Sequence, residues 1–272
     1  GAKYDASGTG GIINIKLKRN MTRGLNGILN AAYGGMYFKD VNRYLNNDYV
    51  GLNLFYRTDK TYTYAQVNQY YGDFSISNAT HAYTPFMKRD MESEYTADFQ
   101  YYMLKIGNDW YIDSTNTFGF FFQAPVMVQS QTAPADKSWG TTSFLSSTGA
   151  DSLILHTNSM TNARTFAPQH TANLNFTHVF SADLERELTV NMDYNRYNSQ
   201  SSNLQHNKEW IDPQPQVYSG LDIRNHQISN IYSAKLDFQT KFWRTGMIEA
   251  GGKYTLSTMN SRMTTDSLQG EQ

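Results

Sequence analysis

The sequence predicts an all-β protein, an antiparallel up-and-down meander of about nine strands that forms part of a larger transmembrane β-barrel. Three observations lead to this prediction. Apolar and polar residues alternate along most of the chain, the connections between alternating segments are short and long in turn, and 20 of the 272 residues are tyrosine. The chain contains no cysteine, which excludes disulfides and thiolate metal ligands. Its formal net charge of -1 argues against nucleic-acid binding, because phosphate contacts require a basic excess.

Alternation with a period of two identifies the strands, because successive side chains of a β-strand point to opposite faces. Between residues 232 and 242, apolar residues dominate the even positions, whereas polar or charged residues occupy the odd ones. Similar apolar faces are predicted at 95–103, 118–128, 172–180, 188–194 and 248–256, with weaker strands at 25–35, 49–57 and 61–72. Most of these segments approach the ~9–11 residues with which a tilted strand crosses a bilayer.

The predicted connections alternate in length along the chain. Tight turns are predicted at 57–60, 181–186 and 244–246, and a turn of intermediate length at 106–114. Longer polar segments are predicted as loops at 36–47, 74–92, 130–164 and 200–228. Outer-membrane barrels have short periplasmic turns and long extracellular loops, whereas a soluble β-sandwich gives no reason for this alternation. We therefore expect the tight turns in the periplasm and the long segments on the cell surface.

Aromatic residues near the predicted strand ends indicate girdles at the two membrane surfaces. Tyrosine and tryptophan favour the headgroup level, where the ring is partly dry and its polar group stays hydrated. The general preference of aromatic residues for strands is the alternative explanation. The predicted girdle residues are Tyr33, Tyr37, Tyr56, Tyr62, Tyr95, Tyr194 and Trp243.

A glycine-rich segment precedes the first predicted strand. Residues 3–18 read KYDASGTGGIINIKLK, in which Gly8, Gly10 and Gly11 form a predicted structural turn. A nucleotide-binding loop would follow a strand and open a helix, and these glycines instead precede a strand. The segment resembles the end of the plug domain of TonB-dependent outer-membrane receptors. The strands that follow it resemble the outer-membrane β-barrel family common in Bacteroidetes receptors of this type.

This resemblance implies a receptor in the outer membrane of a Gram-negative bacterium, which imports a scarce or large ligand with energy supplied by the TonB complex. It implies the C-terminal end of a plug domain in residues 1–20 and the N-terminal portion of the barrel in residues 21–272. We expect the chain to be a fragment, without most of the plug, the region that contacts the TonB complex and the rest of the barrel. The implied partners are outer-membrane lipid, the TonB complex and an unidentified ligand, and no nucleic acid.

Candidate ligand contacts lie in the long polar segments. Trp139, Trp210 and Tyr218 could stack on a sugar, a peptide or an aromatic chelator, or could instead hold the loops together. Charged residues on the predicted inner face form either a mixed-charge network or a solvated channel lining. These charged residues are Lys235, Asp237, Lys241, Glu249 and Lys253.

No catalytic or metal-binding motif emerges from the sequence. The six histidines are scattered singly, without the spacing of metal ligands. His178 lies on a predicted lipid-facing side beside Ser181, as an outer-membrane lipase would require, but a histidine at the membrane interface is the ordinary interpretation. We therefore expect no enzyme, no metal and no cofactor. Two functions stay open: TonB-dependent import, and a β-rich cell-surface or secreted binding protein, lectin-like or adhesin-like, without transport.

Overall fold

The computed structural model describes residues 23–38, 43–145, 151–242 and 246–270, which form one ten-stranded antiparallel sheet. Its strands are β1 (Gly24–Phe38), β2 (Arg43–Arg57), β3 (Thr61–Thr84), β4 (Met87–Tyr111), β5 (Asn116–Ala133), β6 (Ser138–Leu145), β7 (Asp151–Ser181), β8 (Arg186–Trp210), β9 (Val217–Phe242) and β10 (Gly246–Gly270). The predicted all-β meander is confirmed. Residues 1–20 and the predicted turn at Gly8, Gly10 and Gly11 lie outside the described residues.

The strand order is β1-β2-β3-β4-β5-β7-β8-β9-β10, so strands that are neighbours in the sheet are almost always neighbours in the chain. β6 is the exception, and it is the strand that the prediction of about nine missed. A short 3₁₀ turn at Ala135–Lys137 leads from β5 into β6, which pairs with both β4 and β7. β6 thereby fills the space between β4 and β7 beyond the end of β5. No helix among the described residues is long and apolar enough to cross a membrane.

The long polar segments are strand extensions, and the prediction of loops at 74–92, 130–164 and 200–228 was wrong over most of their length. The ladder between β3 and β4 continues to Thr84 and Met87, and the ladder between β8 and β9 continues to Glu209 and Val217. A strand with water on both faces has no need for apolar alternation, although its backbone hydrogen bonds continue. The alternation of apolar and polar residues therefore ends before the strands end.

Tight turns join the strands at the opposite end of the sheet, at 58–60, 112–115 and 182–185. In the second of these turns the carboxylate of Asp113 accepts four hydrogen bonds. Its Oδ1 accepts from the backbone N–H and hydroxyl of Thr115 and from the backbone N–H of Asn116, and its Oδ2 accepts from Asn116 Nδ2, each at 2.7 Å. These bonds from Asn116 and Thr115 hold the pKa of Asp113 well below its usual range.

Two faces of the sheet differ in exposure and in chemistry. On β9, Leu236 is 50% exposed, whereas the neighbouring side chains of Lys235 and Asp237 are 16% and 14% exposed. Directly opposed residues of an antiparallel pair lie on the same face, so the register extends this assignment across the sheet. The more exposed apolar face, called the outer face, includes the successive register partners Leu236, Val190, Phe176, Phe118 and Trp110. All ten strands belong to one sheet, so this face does not pack on a second sheet within the described residues.

β4 presents the opposite face from the one predicted. The register pairs Tyr102 with Val126 and Leu104 with Ala124, which places Tyr102, Leu104 and Ile106 on the outer face. These three residues are 41%, 43% and 41% exposed. The predicted outer row at 95–103 therefore lies on the inner face. Both faces of β4 are apolar or aromatic in this region, so alternation alone could not distinguish them.

The predicted girdle residues lie on different faces of the sheet. Tyr33, Tyr37, Tyr56 and Tyr194 lie on the outer face, and the Tyr194 ring stacks on Tyr232 with 4.9 Å between centroids. Tyr62 and Tyr95 lie on the inner face, because they oppose Arg57 and Ile76 in the register. Their prediction as girdle residues was wrong for the same reason as the face of β4. Trp243 lies outside the described residues.

Candidate functional site

Aromatic side chains cover the inner face of β2, β3, β4 and β5. They alternate with the outer apolar residues along each strand, and cross-strand register places them side by side. We call this set the aromatic wall. It consists of Phe55, Tyr62, Tyr64, Tyr70, Phe99, Tyr101 and Phe121.

Ring contacts connect the aromatic wall across the strands. The Phe55 and Tyr62 rings are parallel to within 2°, with 6.4 Å between centroids, and the Tyr70 and Phe99 centroids are 5.8 Å apart. Such pairs stabilise a sheet beyond the area they bury, by about 0.5–1.5 kcal/mol each. The wall is therefore a surface whose rings support one another.

Lys105 is a cation within the aromatic wall. Its Nζ lies 5.6 Å from the centroid of the Tyr64 ring and 5.2 Å from that of the Phe121 ring. Both distances are within the range of cation–π attraction. The ammonium group is held between a ring of β3 and a ring of β5, the two strands that flank β4. Arg57 adds a second positive centre, because its guanidinium carbon lies 5.8 Å from the centroid of the Tyr62 ring.

Gly107 makes room for these rings. It opposes Tyr64 on one side and Phe121 on the other in the register. A Cβ atom at Gly107 would overlap the Tyr64 ring and would lie 2.8 Å from the carbonyl oxygen of Phe120. The Tyr64 ring can therefore lie across β4 only because residue 107 has no side chain.

The inner face of β7, β8 and β9 is polar instead of aromatic. Thr171 Oγ1 donates a hydrogen bond to Asn195 Oδ1 at 2.8 Å. Asp193 accepts from Asn173 Nδ2 at 2.6 Å and from Ser233 Oγ at 3.1 Å. We call Thr171, Asn173, Asp193, Asn195, Ser233, Lys235 and Asp237 the polar wall.

The predicted charged residues of the inner face have different partners. Lys235 Nζ lies 3.3 Å from Asp237 Oδ2 within the polar wall, as expected of a mixed-charge network. Lys241 instead forms an ion pair at 2.6 Å with Glu185 of the turn at 182–185. Glu249 and Lys253 lie on the same face of β10, opposite Gln239 and Lys235.

The three aromatic residues predicted as ligand contacts lie together on the strand extensions. Lys208 Nζ lies 5.6 Å from the Trp210 ring and 5.9 Å from the Tyr218 ring, so it joins these two rings. Trp139 belongs to β6 and opposes Asn158, which in turn opposes Lys208. All three aromatic residues lie on the face that continues the outer apolar rows. Their role as ligand contacts stays a prediction.

His178 is bound to its neighbours and does not contact Ser181 through a hydrogen bond. Its Nδ1 is 2.8 Å from Asn116 Oδ1, and its ring meets Phe180 edge-on with 4.4 Å between centroids. Ser181 Oγ accepts a hydrogen bond from the backbone N–H of Leu184. Within the ranges that the structure describes, no three His, Asp or Glu side chains are grouped as metal ligands.

The aromatic wall was not recognised in the sequence because its β4 residues were assigned to the wrong face. A signal for the correct assignment was present in the turn at 112–115. A turn of this length brings Trp110 opposite Phe118, and an outward Phe118 then places the even residues of β4 outward. Turn length would therefore have resolved what alternation left ambiguous.

The arrangement of the two walls suits a ring-bearing polar ligand. Aromatic faces stack on sugar rings or other planar groups, and tyrosine hydroxyls add hydrogen bonds. The polar wall supplies carboxylate, amide and hydroxyl groups on the same inner face of the sheet. The site is thus able to bind and orient a ligand.

Comparison with known proteins supports the fold. Residues 178–272 match the model of the outer membrane protein beta-barrel family, a segment that extends from the end of β7 through β10. No curated protein matches the chain. The matched segment, the single antiparallel sheet and its apolar outer face define an outer-membrane β-barrel protein. The protein is located in the outer membrane of a Gram-negative bacterium, and its outer face contacts lipid.

Proposed function

We propose that the protein is part of a TonB-dependent receptor, of the type found in Bacteroidetes, which imports a scarce or large ligand. The observation that carries this proposal is the aromatic wall, with Lys105 between Tyr64 and Phe121 on the inner face. The resemblance of residues 3–18 to the end of a plug domain supports it. We further propose that the protein acts by binding and transport, without catalysis.

An aromatic inner face favours a receptor over a passive pore. The interior of porins is polar and filled with water. A passive channel must bind its solute weakly, because a tightly held solute leaves slowly. Stacked rings such as Tyr70 and Phe99 favour binding over free passage. A transporter with such a wall gains from an energy source that promotes release, which is what the TonB complex supplies.

The dependence on TonB is testable by genetics in the source bacterium. Strains lacking this gene, the TonB gene or both are grown on single carbohydrate, peptide or metal-chelate sources. We expect every growth defect of the first strain to occur in the second, and the double deletion to be no worse than the TonB deletion alone. A defect of the gene deletion that adds to the TonB deletion would contradict the proposal.

Variants of the full-length protein connect this phenotype to the aromatic wall. Tyr64→Ala together with Phe121→Ala should reproduce the growth defect of the gene deletion. The matched control is Leu174→Ala with Phe176→Ala, which removes side chains of the lipid-facing outer face. Equal defects in both double variants would show that assembly, and not the wall, had been damaged.

A cell-surface binding protein without transport is the second candidate. It is favoured by Trp139, Trp210 and Tyr218, which lie on the strand extensions and face away from the interior. This candidate predicts adhesion or glycan binding by intact cells that is unchanged when TonB is deleted. Loss of binding in a Trp139→Ala, Trp210→Ala variant with unchanged growth on every nutrient would favour it over import.

A further inference from the structure

Arginines gather on the outer face of the sheet beyond its apolar rows. Arg164 on β7, Arg224 on β9 and Arg262 on β10 are exposed and line an open cavity of about 630 Å³ together with His226. Arg196 on β8 is exposed on the same face. We call Arg164, Arg196, Arg224, His226 and Arg262 the basic patch.

The register shows that these residues share one face with the lipid-facing rows. Arg164 opposes Ser202, and Ser202 opposes Arg224. The next row towards the membrane contains His226 and Arg262, which oppose each other. This row begins at Phe166 and Gln200 of β7 and β8. Since Phe166 continues the outer apolar row of β7, the basic patch directs its charge sideways over the bilayer and away from the barrel axis.

The height of the basic patch matches that of lipid headgroups. Ala172, Tyr194 and Leu256 lie in one row of the outer face, because Ala172 opposes Tyr194 and both Tyr194 and Leu256 oppose Tyr232. Arg196 lies two positions beyond this row, Arg262 six and Arg164 eight. With a rise of ~3.3 Å per residue and a tilt of ~40°, these offsets are roughly 5 Å, 15 Å and 20 Å above the row. The patch therefore spans the headgroup layer and the sugars attached to it.

Carboxylates compensate only part of this charge. Asp222 Oδ2 accepts a hydrogen bond from Arg224 Nη2 at 2.6 Å, and Asp266 opposes Asp222 on β10. Both carboxylates lie farther from the membrane than the arginines. Within the part of the chain that the structure describes, Arg164, Arg196 and Arg262 have no carboxylate partner. The membrane-proximal side of the patch therefore keeps a net positive charge.

We propose that the basic patch binds the phosphorylated headgroup of lipid A, the glycolipid that anchors lipopolysaccharide in the outer leaflet. The guanidinium group presents paired N–H donors that match two phosphate oxygens, and it keeps its charge at every physiological pH. The patch is continuous with the lipid-facing surface, so a bilayer glycolipid reaches it without leaving the membrane. A bound headgroup would connect β7, β9 and β10 at the base of their extensions.

Binding is measured by native mass spectrometry of the full-length protein in detergent, titrated with lipid A that carries its phosphates. The test variant is Arg164→Gln/Arg224→Gln/Arg262→Gln. The control is Lys88→Gln/Arg89→Gln/Lys137→Gln, which removes the same charge from the extensions farther from the membrane. We expect the test variant to lose about tenfold or more in affinity, because each cation near an anionic lipid surface contributes separately. The control should bind like the unmodified protein.

Two further ligands identify what is recognised. Dephosphorylated lipid A should bind the unmodified protein as weakly as phosphorylated lipid A binds the test variant. Inorganic phosphate at the same concentration should not displace the lipid. Unchanged affinity in the test variant, an equal loss in the control, or full displacement by inorganic phosphate would each overturn the proposal.

Folding of the variants is checked by heat-modifiable migration on gels. If the triple variant does not fold, Arg262→Gln is compared with Arg186→Gln, which changes the outer face of β8 at its opposite end. Arg262→Gln alone should weaken lipid A binding several-fold, and Arg186→Gln should leave it unchanged. Equal affinities in these two single variants would also overturn the proposal. The growth assays on TonB dependence are independent of this result.

Discussion

Gly107 is the residue on which the geometry of the aromatic wall depends. Its missing side chain lets the Tyr64 ring cross β4 and approach Lys105. Covering a strand glycine with a neighbouring aromatic ring also restores packing that the glycine itself cannot supply. The absence of a Cβ atom at residue 107 thus allows Tyr64, Lys105 and Phe121 to pack together.

We expect Gly107→Ala to lower the free energy of unfolding by about 1–3 kcal/mol, as other overpacked substitutions do. The measurement is urea unfolding of the refolded full-length protein, followed by tryptophan fluorescence. Gly252→Ala is the control, because a Cβ at Gly252 meets no atom within 4 Å. In a Tyr64→Ala background, the cost of Gly107→Ala should decrease but not vanish, because a Cβ there also lies 2.8 Å from the carbonyl oxygen of Phe120. An undiminished cost in that background would mean that Tyr64 is not the cause.

The lowered pKa of Asp113 predicts that the stability of the turn at 112–115 depends on pH. Its folded pKa is lowered by hydrogen bonds from Asn116 and Thr115, so the stabilisation is complete above the unfolded pKa of ~3.9. As the pH falls below that value, the stabilisation decreases, and it is lost as the pH passes the lower folded pKa. Asp113→Ala should therefore lower the urea midpoint at pH 7, and its difference from the unmodified protein should narrow below about pH 4. Ser114→Ala, in the same turn, should show no such narrowing.

At the scale of the strand, the two faces predict opposite responses to a new charge. Leu236 lies on the outer face of β9, and Thr189 lies on the inner face of β8 opposite Asp237. Leu236→Arg should cost about 2–4 kcal/mol of folding free energy, because its charge enters lipid near the bilayer midplane. Thr189→Arg should cost much less, since its charge stays on the polar inner face beside Asp237. The yield of heat-modifiable folded protein measures both, and similar yields would refute the assignment of faces.

Sequence patterns predicted the strands and their faces where apolar and polar residues alternate, and failed where both faces are aromatic or both are hydrated. β9 and β8 were assigned correctly because lipid on one side and polar contacts on the other enforce alternation, as at Leu236 and Asp237. On β4, Tyr101 and Tyr102 are both aromatic, so no alternation separates the faces. β6 was not predicted, because it is hydrated and pairs on one side with β4, a strand distant in the sequence, and on the other with the neighbouring β7. β6 pairs with β4 and β7 because β5 ends before they do. The sequence of β6 itself does not contain this information.

The residues of the candidate site were likewise predicted only where polar and apolar residues alternate. Lys235 and Asp237 were predicted on the inner face and form an ion pair there. The aromatic wall was missed, because tyrosines at strand ends such as Tyr62 were interpreted as girdle residues. An inner tyrosine and a girdle tyrosine have the same local sequence pattern. Only the register with Arg57 and Asp109 distinguishes them.

For the whole molecule, the turns and extensions predict an orientation in the membrane. Lys60 lies in a tight turn, and Gln214 lies in the connection at the far end of β8 and β9, and both are exposed. We expect Gln214→Cys to react with an impermeant thiol reagent on intact cells and Lys60→Cys to react only after the outer membrane is opened. Residues 1–272 contain no cysteine, so the reagent has no second target among them. Equal labelling of intact cells at both positions would contradict this orientation.

The 31 residues of β7 also determine what the cell presents to its surroundings. A tilted strand of this length rises roughly 75 Å along the membrane normal, against a hydrocarbon core of ~30 Å. With the extensions outside, their rim stands tens of ångströms above the lipid. An antibody or a bacteriophage approaching the cell would meet the rim before it met the bilayer. Immune and phage pressure should then act first on the hairpin tip around Pro85 and on the connection near Gln214, and last on the walls beneath them.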